Sequence, residues 1–561
     1  MLDCRNFYSK YLGISSPFPH QEQVWDLMFK NHSPLLIRAP TGSGKTESIL
    51  APFLAQFLEN NFTIAPRLIY VLPMRVLVNN LAERIRNYTK KISESITVKV
   101  QHGDISDSPF FIADIVVTTL DQFLYGFART SLQVGRHIDV PAGSIASSLV
   151  VFDEAHMYRD EFTFSVMRAL MEIMHTTRIP FVVMTATMPE KLEKSLFEYI
   201  QVPPEHRVLG SMPFNNGSLK INLMSHPLFT EDRVYLDDET LNAIAQHRTL
   251  VIVNQVARAQ KIYKEIKTHL ELDDEQIVLL HSRFTNKDRH EHENRALQII
   301  PNKSMLQTSK TARPAVVVST QVLEAGIDFS AELLITELAP ADALIQRAGR
   351  CARYAGQSGS MIVFPVAEGG HLPYEEKHLS KTLNWLKGHS EFNIRDFTQV
   401  CSFVDATLDY QAADYEARDT LIDLYECVLY ADTVPSNIQV RRGKPVTLVV
   451  FDISEEKDGL DRIKKEFKEN SEQFNENTIS VDIGIAYALY NQGHLKLKIN
   501  RKYDENGRTT ELVIEELNKK KERNKRPEEV IVPFGVYILD KRLYNEQLGV
   551  LNEPDASSYI V

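Results

Sequence analysis

One eight-residue stretch constrains this chain more than any other. Ala39-Pro40-Thr41-Gly42-Ser43-Gly44-Lys45-Thr46 follows the short apolar run Leu35–Ile37 and precedes a helical pattern. A strand that turns into a helix through small residues leaves successive backbone N–H groups curled around an anion. The start of the helix adds its positive end. Thr41, Gly42, Ser43 and Gly44 form that cradle, and Lys45 reaches the β and γ phosphates of a nucleotide. The Thr46 hydroxyl offers a ligand to Mg²⁺. A chance glycine loop does not bring strand, Lys-Thr pair and helix together, so the chain is read as α/β with ATP-type chemistry.

Ten short apolar runs support that reading. Leu35–Ile37, Leu68–Leu72, Ile115–Val117, Leu149–Phe152 and Phe181–Met184 form one set. Leu250–Val253, Ile277–Leu280, Ala315–Val318, Leu333–Ile335 and Met361–Phe364 form another. Fully apolar strands separated by helices are what a parallel sheet covered on both faces requires. Breakers between Pro203 and Gly217 divide the sets. The expected architecture is two tandem RecA-like parallel-sheet domains, 1–210 and 211–372, then a helical linker and an accessory α+β domain over 373–561. In the last part, 374–430 reads as helical, while Val446–Phe451, Ile483–Tyr490 and Val530–Leu539 read as strands. Ser454–Asn477 reads as an exposed helix or loop, and the basic run Lys519–Arg526 as a solvated loop or helix end.

Composition sets the boundaries of the problem. At 561 residues and 43% apolar, the chain has material for several cores. No apolar run approaches the ~20 residues that cross a bilayer, and no secretory signal is visible, so a cytoplasmic protein with no membrane partner is expected. Cysteines 4, 351, 401 and 427 are too scattered for a zinc knuckle or a disulfide framework. A net charge of −11 argues against coating nucleic acid through the bulk surface, yet leaves room for a basic channel.

The second half of the phosphate chemistry is Leu149-Val150-Val151-Phe152-Asp153-Glu154-Ala155-His156, an apolar strand that ends in two acids. Asp153 at the strand end can hold Mg²⁺ through water, and Glu154 can orient or deprotonate the attacking water. Asp-Glu-Ala-His after such a loop resembles a superfamily 2 helicase. The rest of the chain supports the likeness in order, from about residue 17 to 355. Gln21 lies where such proteins read adenine. Thr185 and Thr187, in Met184–Pro189, resemble the motif that couples ATP state to nucleic-acid grip. Ser319–Asp328 resembles the fifth motif, which implies nucleotide contacts from Gly326 and Asp328. Gln346-Arg347-Ala348-Gly349-Arg350-Cys351-Ala352-Arg353 resembles the sixth. The implied catalytic set is Lys45, Glu154, Gln346, Arg350 and Arg353. An arginine from a second domain stabilises charge on the γ-phosphate only when the domains close, which ties hydrolysis to motion. The implied nucleic-acid contacts are Arg75, Thr118, Thr119, Asp121 and Thr320. Met74 stands where the family usually has threonine.

Four further segments narrow the resemblance to the signature helicase of type I CRISPR-Cas systems. They are Leu280-His281-Ser282-Arg283-Phe284 with Asp288-Arg289, Asn254–Gln260, Gln346–Cys351 and Tyr544-Asn545-Glu546-Gln547-Leu548-Gly549. The resemblance adds Ser282 and Arg283 to the nucleic-acid set. It implies an ATP-driven motor in a prokaryotic cytoplasm, recruited to an RNA-guided surveillance complex and moving 3′ to 5′ on displaced single-stranded DNA. The family's HD nuclease is not expected here: the phosphate loop begins at residue 39, and none of the 17 histidines precedes an aspartate. Cleavage would fall to a separate HD-type nuclease subunit. His281, His290 and His292 form one tight histidine cluster, expected at the surface or beside DNA rather than on a metal. A superfamily 2 helicase of repair or RNA metabolism, and a nucleotide-gated clamp that does not unwind, remain as alternatives.

Overall fold

The computed structural model describes residues 3–551 apart from 41, 104, 159–160, 187, 211–216, 231–232, 301–313, 325–329, 355, 409–414, 432–444, 452–462, 466–474, 504–508, 518–526 and 534. It divides into two units, each made of two stretches of chain. The first combines Met1–Phe214 with Asn393–Arg442, and the second combines Asn215–Phe392 with Gly443–Val561.

The first unit is built on β1 (Leu35–Arg38), β2 (Arg67–Leu72), β3 (Val98–Gln101), β4 (Ile115–Thr119), β5 (Ser148–Phe152), β6 (Phe181–Thr185) and β7 (Arg207–Leu209). These seven strands are parallel and lie in the order β3-β4-β2-β5-β6-β1-β7. Alternate residues of a strand face opposite sides. Ile69 and Val71 of β2 therefore join one core with Phe123, Phe152 and Leu170, while Leu68, Tyr70 and Leu72 join a second core with Phe53 and Val151. Both faces are covered, which is why the sequence of these strands is continuously apolar.

The later stretch of this unit packs on helix Glu161–Thr176, which covers one of those faces. Helix Tyr415–Tyr430 lays Leu424 and Cys427 into the core that holds Leu170. Arg129 Nη1 donates to the carbonyls of Cys427, at 2.8 Å, and Val428, at 3.0 Å.

The second unit repeats the plan with β8 (Ser218–Leu223), β9 (Arg248–Ile252), β10 (Ile277–Leu280), β11 (Ala315–Ser319), β12 (Leu333–Glu337) and β13 (Ser358–Phe364). All are parallel, in the order β10-β11-β9-β12-β13-β8. Each of the ten apolar runs falls on a strand of one sheet or the other, to within a residue. The strands without such a run, β3, β7 and β8, are short or half-polar and stand at sheet edges, where one side has no neighbour.

The same unit carries a five-stranded mixed sheet from β14 (Pro445–Phe451), β15 (Thr478–Asp482), β16 (Leu495–Tyr503), β17 (Thr509–Glu516) and β18 (Val536–Asp540), ordered β15-β14-β18-β16-β17. One expected strand is a helix: Ile483–Asn491 begins where the Asp482 side chain accepts from the Gly484 amide. The alternation of large and small residues there suggests a strand, but Ala486, Leu489 and Tyr490 are buried at helical spacing. Of Val530–Leu539, only Val536–Asp540 is a strand, preceded by the helical turn Pro527–Val530. Lys519–Arg526 and most of Ser454–Asn477 lie outside the described residues. Among the described residues, no helix is long and apolar enough to cross a membrane.

Removing the Asp482 cap tests the helix that replaces the expected strand. Asp482→Ala should cost about 1 kcal/mol, read as roughly fivefold faster hydrogen exchange of the amides of Ile485–Asn491 with the parallel sheets unaffected.

Candidate functional site

The phosphate loop leaves β1 and enters helix Lys45–Glu59. Gly42 and Gly44 hold φ of +83° and +75°, a region that side chains rarely adopt. At Gly44 a Cβ would also strike the Gln21 amide. Gln21, on helix Pro19–Phe29, accepts from the Phe18 amide at 2.8 Å and donates to the Gly44 carbonyl at 2.9 Å. The residue expected to read adenine therefore also braces the loop. Ser43 Oγ donates to the Pro40 carbonyl at 2.7 Å. Buried Lys45 spans the loop, its Nζ 3.0 Å from the Ala39 carbonyl and 3.2 Å from that of Pro40. Thr41 lies outside the described residues.

The two acids follow β5, which pairs with β2 so that Tyr70 stands opposite Val151. The Tyr70 hydroxyl donates to Asp153 Oδ2 at 2.7 Å and lies 3.4 Å from Thr46 Oγ1. One fully buried phenol thus joins both expected Mg²⁺ ligands. Their hard oxygen donors fit that cation. Burial, reinforced by the neighbouring Glu154 charge and opposed by Lys45, raises the Asp153 carboxyl to about 6.

Glu154 sits at φ +53°, where its own amide donates to Asp153 Oδ1 at 2.8 Å. Its buried Oε2 makes no hydrogen bond and faces His156 Nδ1 at 3.5 Å. The same nitrogen lies 3.2 Å from Thr185 Oγ1, at the end of β6. The acids and the coupling motif are therefore joined through one imidazole. Thr187 lies outside the described residues.

In the second unit the sixth motif packs under the fifth. Gly326 and Asp328 lie outside the described residues. Arg350 turns inward, with Nε donating to the Leu323 carbonyl at 3.1 Å and Nη2 to that of Glu324 at 2.9 Å. Gln346 and Arg353 are half-buried, and the Arg353 amide donates to Ser330 Oγ.

Sequence reasoning passed over Arg347, which is fully buried. Its guanidinium meets Glu324 Oε1 (2.8 Å), Thr336 Oγ1 (2.8 Å), the Glu337 carbonyl (3.1 Å), Asn254 Oδ1 (3.0 Å) and Tyr374 OH (3.1 Å). It ties together the ends of β9, β11 and β12. A second residue passed over is Tyr70, whose role appears only once strand pairing is known.

The expected nucleic-acid residues divide by exposure. Arg75, at the start of helix Arg75–Thr89, is exposed with its guanidinium against Gly103, and Asp121 is half-buried. Thr118 and Thr119 are buried, and the Thr118 hydroxyl is spent on the Gln101 carbonyl at 2.8 Å. Ser282 is exposed, whereas Arg283 and Thr320 are buried.

The histidine cluster is corrected as well. His281 and His292 are buried and only His290 is exposed. Phe284 lies between the two buried rings, 4.3 Å and 4.4 Å from their centres. His292 Nδ1 bonds the Leu279 carbonyl at 2.6 Å. Burial lowers His281 to about 3, so it is neutral at physiological pH.

Comparison with known proteins agrees with this geometry. Residues 18–195 match the DEAD/DEAH box helicase family. Residues 245–356 match the C-terminal part of the CRISPR-associated nuclease/helicase Cas3. The CRISPR-associated helicase Cas3 of Thermoproteus tenax is 27% identical over 470 residues, 78% of this chain and 76% of that protein. The CRISPR-associated nuclease/helicase Cas3 of Methanothermobacter thermautotrophicus is 27% identical over 385 residues, 62% of this chain but only 42% of that protein. The crystal structure of T. fusca Cas3 shares the fold, with a TM-score of 0.68 at 18% identity over 95% of this chain and 69% of that one. Residues 18–195 are thus similar to the DEAD/DEAH box helicases, and the chain as a whole is similar to the Cas3 helicases.

Replacing Arg347 leaves the buried acceptors of Asn254, Thr336 and Glu337, and the half-buried Glu324 carboxylate, without their cation. Arg347→Met should cost roughly 3–5 kcal/mol, seen in urea unfolding as an earlier transition of the second unit.

Proposed function

We propose that this chain is the ATP-driven DNA motor of CRISPR interference in a prokaryotic cytoplasm. It loads on the single strand displaced by an RNA-guided surveillance complex and moves along it 3′ to 5′. Cleavage is left to a separate HD-type nuclease subunit. The observation that carries the reading is the joining of Thr46, Asp153, Glu154 and Thr185 through Tyr70 and His156, in a chain whose second domain matches Cas3.

The residues divide the work as follows. Loop amides and Lys45 hold the nucleotide phosphates while Gln21 contacts the adenine. Thr46 and Asp153 hold Mg²⁺, which neutralises phosphate charge when bound. Glu154 has an unsatisfied carboxylate oxygen with which to take the proton of the attacking water. His156 passes the state of that site to Thr185. Arg350 positions the fifth motif, and Arg353 with Gln346 serves the γ-phosphate.

Glu154→Gln decides whether hydrolysis runs through this site. The purified chain should hydrolyse ATP faster with single-stranded DNA, and the variant should lose about 10²–10⁴ in rate while leaving nucleotide binding intact. The DNA should remain uncut. Stimulation by RNA but not DNA would sink the CRISPR reading.

The Asp153 carboxyl adds a pH test. A proton competes with Mg²⁺ below about pH 6. Half-saturating Mg²⁺ for binding of a fluorescent ATP analogue should therefore rise ~tenfold per pH unit below that point and stay flat above pH 7. Asp153→Asn should remove the slope.

A further inference from the structure

The segment after the mixed sheet forms a small hairpin, β19 (Tyr544–Asn545) paired antiparallel with β20 (Gly549–Val550). It clasps the loop that leaves the carboxyl end of β10. The Tyr544 hydroxyl accepts from the Thr285 amide at 3.0 Å and donates to the Asp288 carboxylate. The Leu548 carbonyl accepts from His281 Nε2 at 3.0 Å and from Gln260 Nε2 at 2.6 Å. The Val550 amide donates to the Arg283 carbonyl at 3.2 Å. Gly549 turns at φ +73°, and a Cβ there would stand 2.6 Å from the Arg283 carbonyl oxygen.

Held from below in this way, the stretch 281–285 buries four of its five residues and exposes only Ser282. Thr320 joins the same edge from β11, its amide 3.3 Å from the Leu280 carbonyl. A loop at the carboxyl end of a parallel sheet, with one exposed hydroxyl and a fixed backbone, suits a phosphodiester backbone.

We propose that Tyr544 and the Gly549 turn are positioning residues for nucleic acid: the hairpin fixes the 281–285 loop so that Ser282 meets a phosphate of the single strand. The hairpin therefore belongs to the strand-gripping edge of the motor. This inference rests on the DNA-motor reading above. Tyr544→Phe keeps the ring packed against the core that holds Phe284 and removes only the hydroxyl.

The test is a double-mutant cycle on the full chain, using a fluorescent oligothymidylate with a non-hydrolysable ATP analogue. Tyr544→Phe should weaken oligonucleotide binding about fivefold to tenfold. Basal ATPase without DNA and the KM for ATP should be unchanged. Asp288→Asn keeps an oxygen to receive the hydroxyl and should stay within about twofold of the parent. Ser282→Ala should weaken binding alone but add nothing in the Tyr544→Phe background, because both act through one loop. A thermal melt confirms that the variants fold. Wild-type affinity in Tyr544→Phe, or losses that simply add, would overturn the inference while leaving the DNA-motor reading intact. A parent chain that binds no single strand would overturn both.

Discussion

A carboxylate as enclosed as Asp153 must be compensated or take up a proton, and the architecture of the first unit follows from how that is done. Its two oxygens are served by the Tyr70 hydroxyl and the Glu154 amide. The phenol reaches Asp153 only because β2 and β5 are parallel neighbours in one register. Glu154 reaches it only by adopting a left-handed backbone. The remaining stabilisation comes from the Lys45 charge, carried on the helix that opens behind the phosphate loop. The compensation is partial, so burial still holds the carboxyl above the usual carboxylate range.

The second unit solves the opposite problem. Its buried charge is the Arg347 guanidinium, and the acceptors come from residues far apart in sequence: Asn254, Glu324, Thr336 and Tyr374. A planar fork of donors can address several strand ends at once, which a lysine could not do. Arg350, one helical turn away, secures the carbonyls of the fifth motif. The sixth motif thus spends two of its three arginines on holding the fifth in place.

Motifs contiguous in sequence were legible because their chemistry is local: the glycine loop, the Asp-Glu pair and the arginine run each declare themselves within ten residues. Interior strands were legible because burial on both faces leaves no polar position. Among the edge strands of the parallel sheets the apolar β10 was legible, but β3, β7 and β8 were not, and neither was helix Ile483–Asn491, whose large-small alternation satisfies a strand template as well as a helix. Tyr70, Thr118, Arg283 and His281 show the deeper limit. Each has a side-chain type that suits a surface or a core, and only the pairing of distant segments decides which. The Tyr544 to Gly549 segment carries a family resemblance in its own residues, but what it touches lies more than 250 residues upstream.

The return of the chain to the first unit has a consequence for how the protein is made. The core around Leu170 is sealed by Leu424 and Cys427, on a helix that leaves the ribosome long after the seven strands beneath it. At roughly 5–20 residues per second, about 10–40 s separate the emergence of Phe214 from that of this helix. During that time helix Glu161–Thr176 carries an apolar stripe whose partner is still unsynthesised, while the whole second parallel sheet emerges. Chaperone demand during synthesis should therefore fall on the first unit, although its strands are the first to appear.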